Sequence, residues 1–153
     1  MSKSELPRVL FELIESGRWH QPSDAVVREL VPFDELPFDF RLTPDMLGMN
    51  GLSHLLKHRK LREQFHVYRS GWFRKAKPLP WIDVWKAIVI AEGRMHGSDS
   101  GIVLDLRTST EDPAVLASNW EVVPGRCRWE VISPALSIFM SAIESCEKRL
   151  SHA

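Results

Sequence analysis

The amino-acid sequence predicts an α+β fold: a single domain over residues 1–153, with a mainly antiparallel, mixed sheet and helices at both chain ends. Two observations support this prediction. Amphipathic helical patterns occur at the start and at the end of the chain, and short apolar runs follow one another between them. Strands without an intervening helix favour antiparallel neighbours over the alternating βαβ arrangement of a parallel sheet.

The N-terminal part of the chain is predicted to be helical. The first helix covers residues 4–16, where Pro7 suits the first turn and Gly17 supplies a stop. A second helix follows a Ser-Asp cap and covers residues 24–31. The apolar stripe of the first helix comprises Leu6, Val9, Leu10, Leu13 and Ile14.

The middle of the chain has weaker local signals. Residues 33–40 are predicted to be irregular, because prolines flank and interrupt them. Thr43 and Pro44 form a helix start, and a further helical pattern covers residues 52–63. Residues 65–68 alternate in polarity, which indicates a short strand.

Two apolar runs, residues 87–91 and 102–104, are predicted to be the central strands. They are rich in β-branched residues and are bounded by Gly, Ser and Asp, which is typical of buried strands. The polar connection over residues 92–101 is too long for a tight hairpin and suits an irregular loop between antiparallel neighbours. Asp105 and Arg107 are expected to close the second strand as a charge pair on one of its faces.

Two further strands and a helix complete the predicted fold. Residues 114–118 form a third strand, and residues 120–123 either continue it or pair separately. A proline-glycine turn precedes an alternating strand at residues 127–132. Ser133 and Pro134 are predicted to be the cap and the first residue of the last helix. The buried stripe of this helix is expected to comprise Leu136, Phe139, Met140 and Ile143.

The composition is that of a soluble globular protein. Hydrophobic residues make up 44% of the chain and charged residues 26%, which argues against disorder. Because no apolar run reaches membrane-spanning length and the N-terminus lacks an apolar signal region, we expect a cytoplasmic protein without a membrane partner. Cys127 and Cys146 lack metal-binding spacing, and free thiols are favoured over a disulfide.

The charges are balanced overall but unevenly distributed. The chain has 20 basic and 20 acidic residues, so it has no general attraction to nucleic acid. Residues 51–100, however, have 10 basic and 4 acidic groups, whereas the segments on either side are net acidic. A basic middle between acidic ends favours a charged protein partner.

Metal and nucleotide motifs are incomplete. His54 and His58 have the spacing of two zinc ligands on a helix, but the surrounding lysines and arginines favour a solvated basic face. Residues 93–101 contain glycines, yet they match neither the phosphate-loop nor the dinucleotide-binding pattern. The sequence therefore predicts neither a metal nor a cofactor.

The sequence contains residues of the types found in a catalytic triad, but not the motif that usually accompanies them. The members of such a triad would be Ser98 or Ser100, His96 and Asp105. The nucleophile-elbow pattern is absent, and residues this close together on one loop and strand rarely meet the geometry of a triad. The sequence therefore predicts no catalytic residues.

From Leu79 to its end the chain resembles the SUKH superfamily, which includes bacterial immunity proteins and the yeast cell-wall-assembly regulator. The resemblance rests on Leu79-Pro80-Trp81, on Gly97-Ser98-Asp99 before the strand Ile102–Arg107, on Asp112–Val115 and on Trp129–Met140. It implies a single α+β domain used as a binding scaffold. Many bacterial members neutralise a toxin, often a nuclease, by covering its active site.

The function expected from the sequence is a non-enzymatic protein-binding module, such as an immunity protein that neutralises a toxin, acting as a monomer or weak dimer. Tryptophan and arginine are the side chains that most often anchor interfaces. The candidate partner-binding residues are Trp72, Arg74, Lys75, Trp81, Asp83 and Asp99. One alternative is a nucleic-acid-binding domain that uses the basic segment 57–77. A second is a small hydrolase with its site in the 92–101 loop, at His96 and Asp99.

Overall fold

A computed structural model describes residues 6–32, 37–44, 86–94, 100–123 and 126–152. Within these ranges the chain forms the helices α1 (Arg8–Glu15), α2 (Asp24–Leu30) and α3 (Leu136–Ser151), and the strands β1 (Phe38–Phe40), β2 (Ala87–Gly93), β3 (Gly101–Asp105), β4 (Ala114–Val123) and β5 (Arg126–Ser133). This arrangement confirms the predicted α+β fold. Among the described helices, none is both long enough and apolar enough to cross a membrane.

The five strands form one sheet whose spatial order follows the sequence, and every described pairing is antiparallel. The central pair is β2 and β3, in which Val89 lies opposite Val103. β4 extends without interruption to Val123, so residues 120–123 continue the third strand. The predicted strand at residues 127–132 corresponds to β5.

Residues 38–40 form strand β1, so the prediction of irregular structure up to residue 40 is wrong. Phe38 and Phe40 are buried on the core side of the strand, and Asp39 between them is exposed. The strand pairs with β2, and the carbonyl of Pro37 accepts a further backbone hydrogen bond from the turn after β2. A distant strand therefore supplies the partners that make this proline-flanked segment extended.

The three helices cover one face of the sheet, and α3 packs against both other helices and against β4 and β5. Its predicted stripe is buried, and Cys146 extends that stripe by one turn. Aromatic rings join the layers. The ring centroids of Trp19 and Phe40 lie 5.6 Å apart, and Phe40 stacks nearly parallel on Phe139 with centroids 6.5 Å apart. Such pairs stabilise a core beyond the area that they bury.

The opposite face of the central strands is also buried. Val89, Val103 and Leu116 are at most 6% exposed, although they alternate with the residues that contact the helices. Strands buried on both faces appear in sequence as continuous apolar runs, which is why β2 and β3 were recognisable. Trp129 is buried, and its ring lies 3.6 Å from the position that a Cβ atom on Gly101 would take.

The last helix begins later than its sequence pattern predicts. Ser133 is the final residue of β5, and the helix starts at Leu136, so Pro134 is not the first helical residue. The hydroxyl of Ser133 donates to the carbonyl of Ala135 and caps no backbone N–H. Strand β5 retains Ser133 because this residue pairs with Val115 of β4.

The charge pair of Asp105 and Arg107 is present, but the proposed strand geometry is wrong. β3 ends at Asp105, and residues 106–108 form a turn. The Asp105 carboxylate accepts hydrogen bonds from the backbone N–H of Arg107 at 3.1 Å and from its guanidinium at 2.9 Å and 3.0 Å. An aspartate that binds the N–H two residues ahead forms an Asx turn, which ends the strand.

Candidate functional site

A groove of about 360 Å³ lies between α1 and α3. Its apolar lining comes from Val9 and Leu13 on α1. The polar lining residues are Glu12, Ser16, Arg18, Ser137 and Ser141. The groove thus combines an apolar α1 strip with hydroxyl, carboxylate and guanidinium groups.

The turn after α1 positions Arg18 at the groove. Gly17 has a φ of +77°, a conformation that glycine adopts without a steric penalty. This conformation turns the chain at the end of α1, so that the N–H groups of Arg18 and Trp19 both donate to the carbonyl of Leu13 at 3.0 Å. Trp19 then enters the core, and its Nε1 donates to the carbonyl of Arg41 at 2.6 Å. The buried indole therefore fixes the residue next to Arg18.

The turn between β3 and β4 sets the positions of both groove helices. The carbonyl of Glu111 accepts a hydrogen bond from the N–H of Val9 at 3.0 Å, at the start of α1. The neighbouring Asp112 carboxylate accepts from the backbone N–H of Ser137 at 2.9 Å and also from its hydroxyl. Asp112 therefore caps α3 from another part of the chain and orients Ser137 at the groove wall.

An ion pair lies at the end of the groove. Arg18 donates to Glu144 from Nε at 3.2 Å and from a terminal nitrogen at 2.5 Å, in a two-point arrangement. The hydrogen bond from Arg18 lowers the pKa of the Glu144 carboxyl, so the pair is fully charged at neutral pH. Because both side chains are 40–50% exposed, solvent screens their attraction. Either group is therefore accessible to a competing charge from a partner.

His20 extends this contact along α3. Its Nδ1 lies 2.7 Å from the carbonyl oxygen of Arg18, and its Nε2 lies 2.7 Å from a carboxylate oxygen of Glu147. Both neighbours are hydrogen-bond acceptors, so the contact suits a protonated imidazole, in which both ring nitrogens donate. Partial burial tends to lower the pKa of His20, but the hydrogen bonds to Glu147 and Arg18 and the nearby carboxylates raise it on balance.

A third contact joins α2 to α3 beyond the groove. Arg149 donates to the carboxylate of Glu29, and this hydrogen bond lowers the pKa of Glu29. The Sγ of Cys146 donates to the same carboxylate at 3.2 Å, and desolvation raises the pKa of this thiol. Cys146 is a free, buried thiol, in agreement with the prediction for this residue. Its contacts assign it to helix packing.

The partner-binding residues predicted from the sequence all lie outside the described residues. This holds for Trp72, Arg74, Lys75, Trp81, Asp83 and Asp99. It also holds for the basic segment 57–77, for the predicted helix 52–63 with His54 and His58, and for His96 and Ser98 of the triad considered above. These assignments remain predictions.

Two residues of that triad, Asp105 and Ser100, lie in the part of the chain that the structure describes. The Asp105 side chain is 3% exposed and is held by Arg107 as set out above. Ser100 is also buried. Among the described side chains, no group of three or more His, Cys, Asp or Glu residues could hold a metal ion.

The groove was not predicted from the sequence. Ser137, Ser141 and Arg18 appear there as ordinary polar residues, and nothing in their spacing indicates that they share a site. The only local signal was Gly17, which ends α1 and directs Arg18 towards α3. Comparison of the chain with protein-family models, with curated proteins and with solved structures gives no match.

Proposed function

We propose that the chain is a non-enzymatic protein-binding module and that the α1–α3 groove is part of its binding surface. The supporting observation is the composition of the groove, in which an apolar strip is bordered by polar side chains. This is the usual anatomy of a protein interface, with an apolar centre and a polar rim. The strip from Val9 and Leu13 suits an apolar side chain of the partner.

The ion pair at the groove end suggests how a partner is oriented. Arginine is enriched at the energetic centres of interfaces, and Arg18 is held at the groove by two hydrogen bonds to Glu144. An incoming carboxylate can replace Glu144 or share the guanidinium with it. Ser141 adds a hydroxyl on the facing wall. The partner segment thus combines an apolar side chain with an acidic one.

More specifically, we propose that the chain is an immunity protein that neutralises a toxin. It is supported by the sequence resemblance, which implies a single α+β binding scaffold. The acidic and basic segments of the chain add a second support, since they favour a charged partner. In this proposal the predicted basic surface at Arg74 and Lys75 acts together with the groove.

The test is to fill the groove. Ser141→Trp places an indole in it, whereas Ser145→Trp makes the same change one turn further along α3, at an exposed position that does not line the groove. The tagged chain is used to recover partners from a lysate of the source organism at low and moderate salt. The affinity of a recovered protein is then measured for both variants and for the charge reversal of Arg74 and Lys75.

We expect one stoichiometric protein partner that survives moderate salt and binds the Ser141→Trp variant at least about tenfold more weakly. The Ser145→Trp variant should bind like the unaltered chain. Equal affinity of both tryptophan variants would place the interface away from the groove. Recovery of nucleic acid alone, lost as salt rises, would support the alternative at residues 57–77 instead.

A further inference from the structure

Four ionisable side chains form one cluster at the end of the groove. Arg18 and His20 come from the segment after α1, and Glu144 and Glu147 lie about one turn apart on α3. Arg18 donates to Glu144, and Nε2 of His20 lies 2.7 Å from a carboxylate oxygen of Glu147. The arginine that lines the groove and the histidine are therefore bound to the same side of α3.

The imidazole is also joined directly to the groove arginine. Its Nδ1 lies 2.7 Å from the carbonyl oxygen of Arg18, whose side chain lines the groove. Among the described residues, the groups whose charge acts on His20 are the carboxylates of Glu147 and Glu144. The charges of Arg18 and His20 both act on Glu144 in turn. A change of charge at His20 therefore affects the ion pair at the groove end.

The proton of His20 decides the charge balance of this cluster. A protonated imidazole donates from both nitrogens, to Glu147 and to the carbonyl of Arg18. The imidazolium and the guanidinium then balance the two carboxylates. A neutral imidazole has a single N–H and can donate to only one of its two acceptors. The cluster then has one more carboxylate than it has cations.

This balance affects an acidic partner segment that approaches Arg18. The carboxylate of the partner competes with Glu144 for the guanidinium and is repelled by a carboxylate that lacks a cation. The repulsion is weaker when His20 is protonated, because Glu147 then has a positively charged neighbour. We propose that the proton of His20 controls the affinity of the groove for an acidic partner segment, which binds more tightly when the imidazole is protonated. This inference rests on the proposed function, since it concerns the regulation of the same groove.

The probe is a blocked dipeptide, N-acetyl-leucyl-aspartyl amide, whose apolar and acidic side chains match the proposed partner segment. Its carboxylate stays ionised between about pH 6 and about pH 9, because the usual pKa of aspartate is about 3.9. Two-dimensional NMR of the nitrogen-15-labelled chain follows the signals of Val9, Leu13 and Ser141, which line the groove, and gives the dissociation constant of the peptide at each pH. The uncharged N-acetyl-leucyl-asparaginyl amide is the control ligand.

We expect the unaltered chain to bind the aspartate peptide about threefold more tightly near pH 6 than near pH 9, a modest factor because the cluster is partly exposed. His20→Gln cannot be protonated and should bind weakly at both pH values. His20→Lys keeps a positive charge and should bind tightly at both. His152→Gln removes a histidine at the C-terminal end of α3 and should behave like the unaltered chain. The affinity of the asparagine peptide should not change with pH.

A second measurement uses only the unaltered chain and therefore holds if a His20 variant does not fold. Because coupling between two binding events is reciprocal, the bound aspartate peptide should raise the pKa of His20, read from its imidazole signals, by about 0.5. Equal peptide affinity at both pH values, the same pH dependence in His20→Gln, or a pKa of His20 that the peptide leaves unchanged would each overturn the inference.

The outcomes separate this inference from the proposed function. A peptide that binds at neither pH value would overturn the inference, whereas loss of the recovered partner in Ser141→Trp would still support the groove as a protein-binding surface. Conversely, peptide binding that follows pH as expected, together with a recovered partner that binds Ser141→Trp normally, would support the regulation by His20 and contradict the proposed function.

Discussion

At the scale of single residues, His20 is a described side chain whose charge depends on pH. Both ring nitrogens face acceptors, and the pKa in the folded protein is raised. A histidine whose pKa is raised by folding stabilises the folded state. This stabilisation is complete below the unfolded pKa of about 6.5 and is lost as pH rises through the folded pKa. The contact therefore favours folding on the acidic side of neutrality.

We expect His20→Gln to destabilise the protein by at most about 1 kcal/mol near pH 6, because the contact is partly exposed. The difference in stability should shrink as pH rises from 6 towards 9, because the unaltered imidazole loses its proton as pH passes through its folded pKa. Urea unfolding at both pH values measures this difference. A free-energy difference that does not change with pH would show that His20 acts through packing alone.

Gly17 has a backbone conformation that restricts its replacement. Its φ is +77°, and nothing lies within 4 Å of the position that a Cβ would take. The cost of Gly17→Ala is therefore conformational, and we expect a loss of about 1 kcal/mol. Gly17→Asn should cost less, because asparagine tolerates the left-handed region. Denaturant midpoints test the order, and equal stability of the alanine variant would contradict it.

At the scale of elements, the start of α3 depends on a residue from a different loop. Asp112 accepts two hydrogen bonds from Ser137, whereas Ser133 forms no capping bond. We expect Asp112→Ala to reduce stability by about 1 kcal/mol, the usual cost of losing a helix cap. Ser133→Ala should cost less, although the sequence pattern named that residue as the cap. Thermal or urea unfolding of the pair decides between them, and the reverse order would refute the assignment.

Some strands are determined by their own sequence and others by pairing with a distant segment. β2 and β3 were predicted because their apolar runs are intrinsic to the sequence and typical of strands buried on both faces. β1 was missed because its three residues are extended only through pairing with β2, a segment about fifty residues away. Propensity scales cannot report such a partner. The bulge that shifts the register of β5 near Val115 is likewise a product of pairing.

At the scale of the whole molecule, contacts between distant segments of the chain join the helical layer. Arg18 with Glu144, His20 with Glu147 and Glu29 with Arg149 each link residues at least 120 positions apart. The groove lies within this layer, so a partner that binds there contacts both α1 and α3 at once. A partner seated in the groove should therefore raise the stability of the folded chain, because it binds the assembled helices and not the unfolded state.

The sequence by itself determined the fold class, the first two helices, the central strands and the buried stripe of α3. These features follow from periodicity and from side-chain effects within a few residues, which a linear pattern contains. The tertiary structure alone decided strand β1, the Asp112 cap, the turn at Asp105 and the α1–α3 groove. The strand, the cap and the groove each require partners from distant segments of the chain. The hydrogen bonds of the turn are local, but its position depends on where β3 stops pairing with β4. Only folding brings those partners within hydrogen-bonding distance.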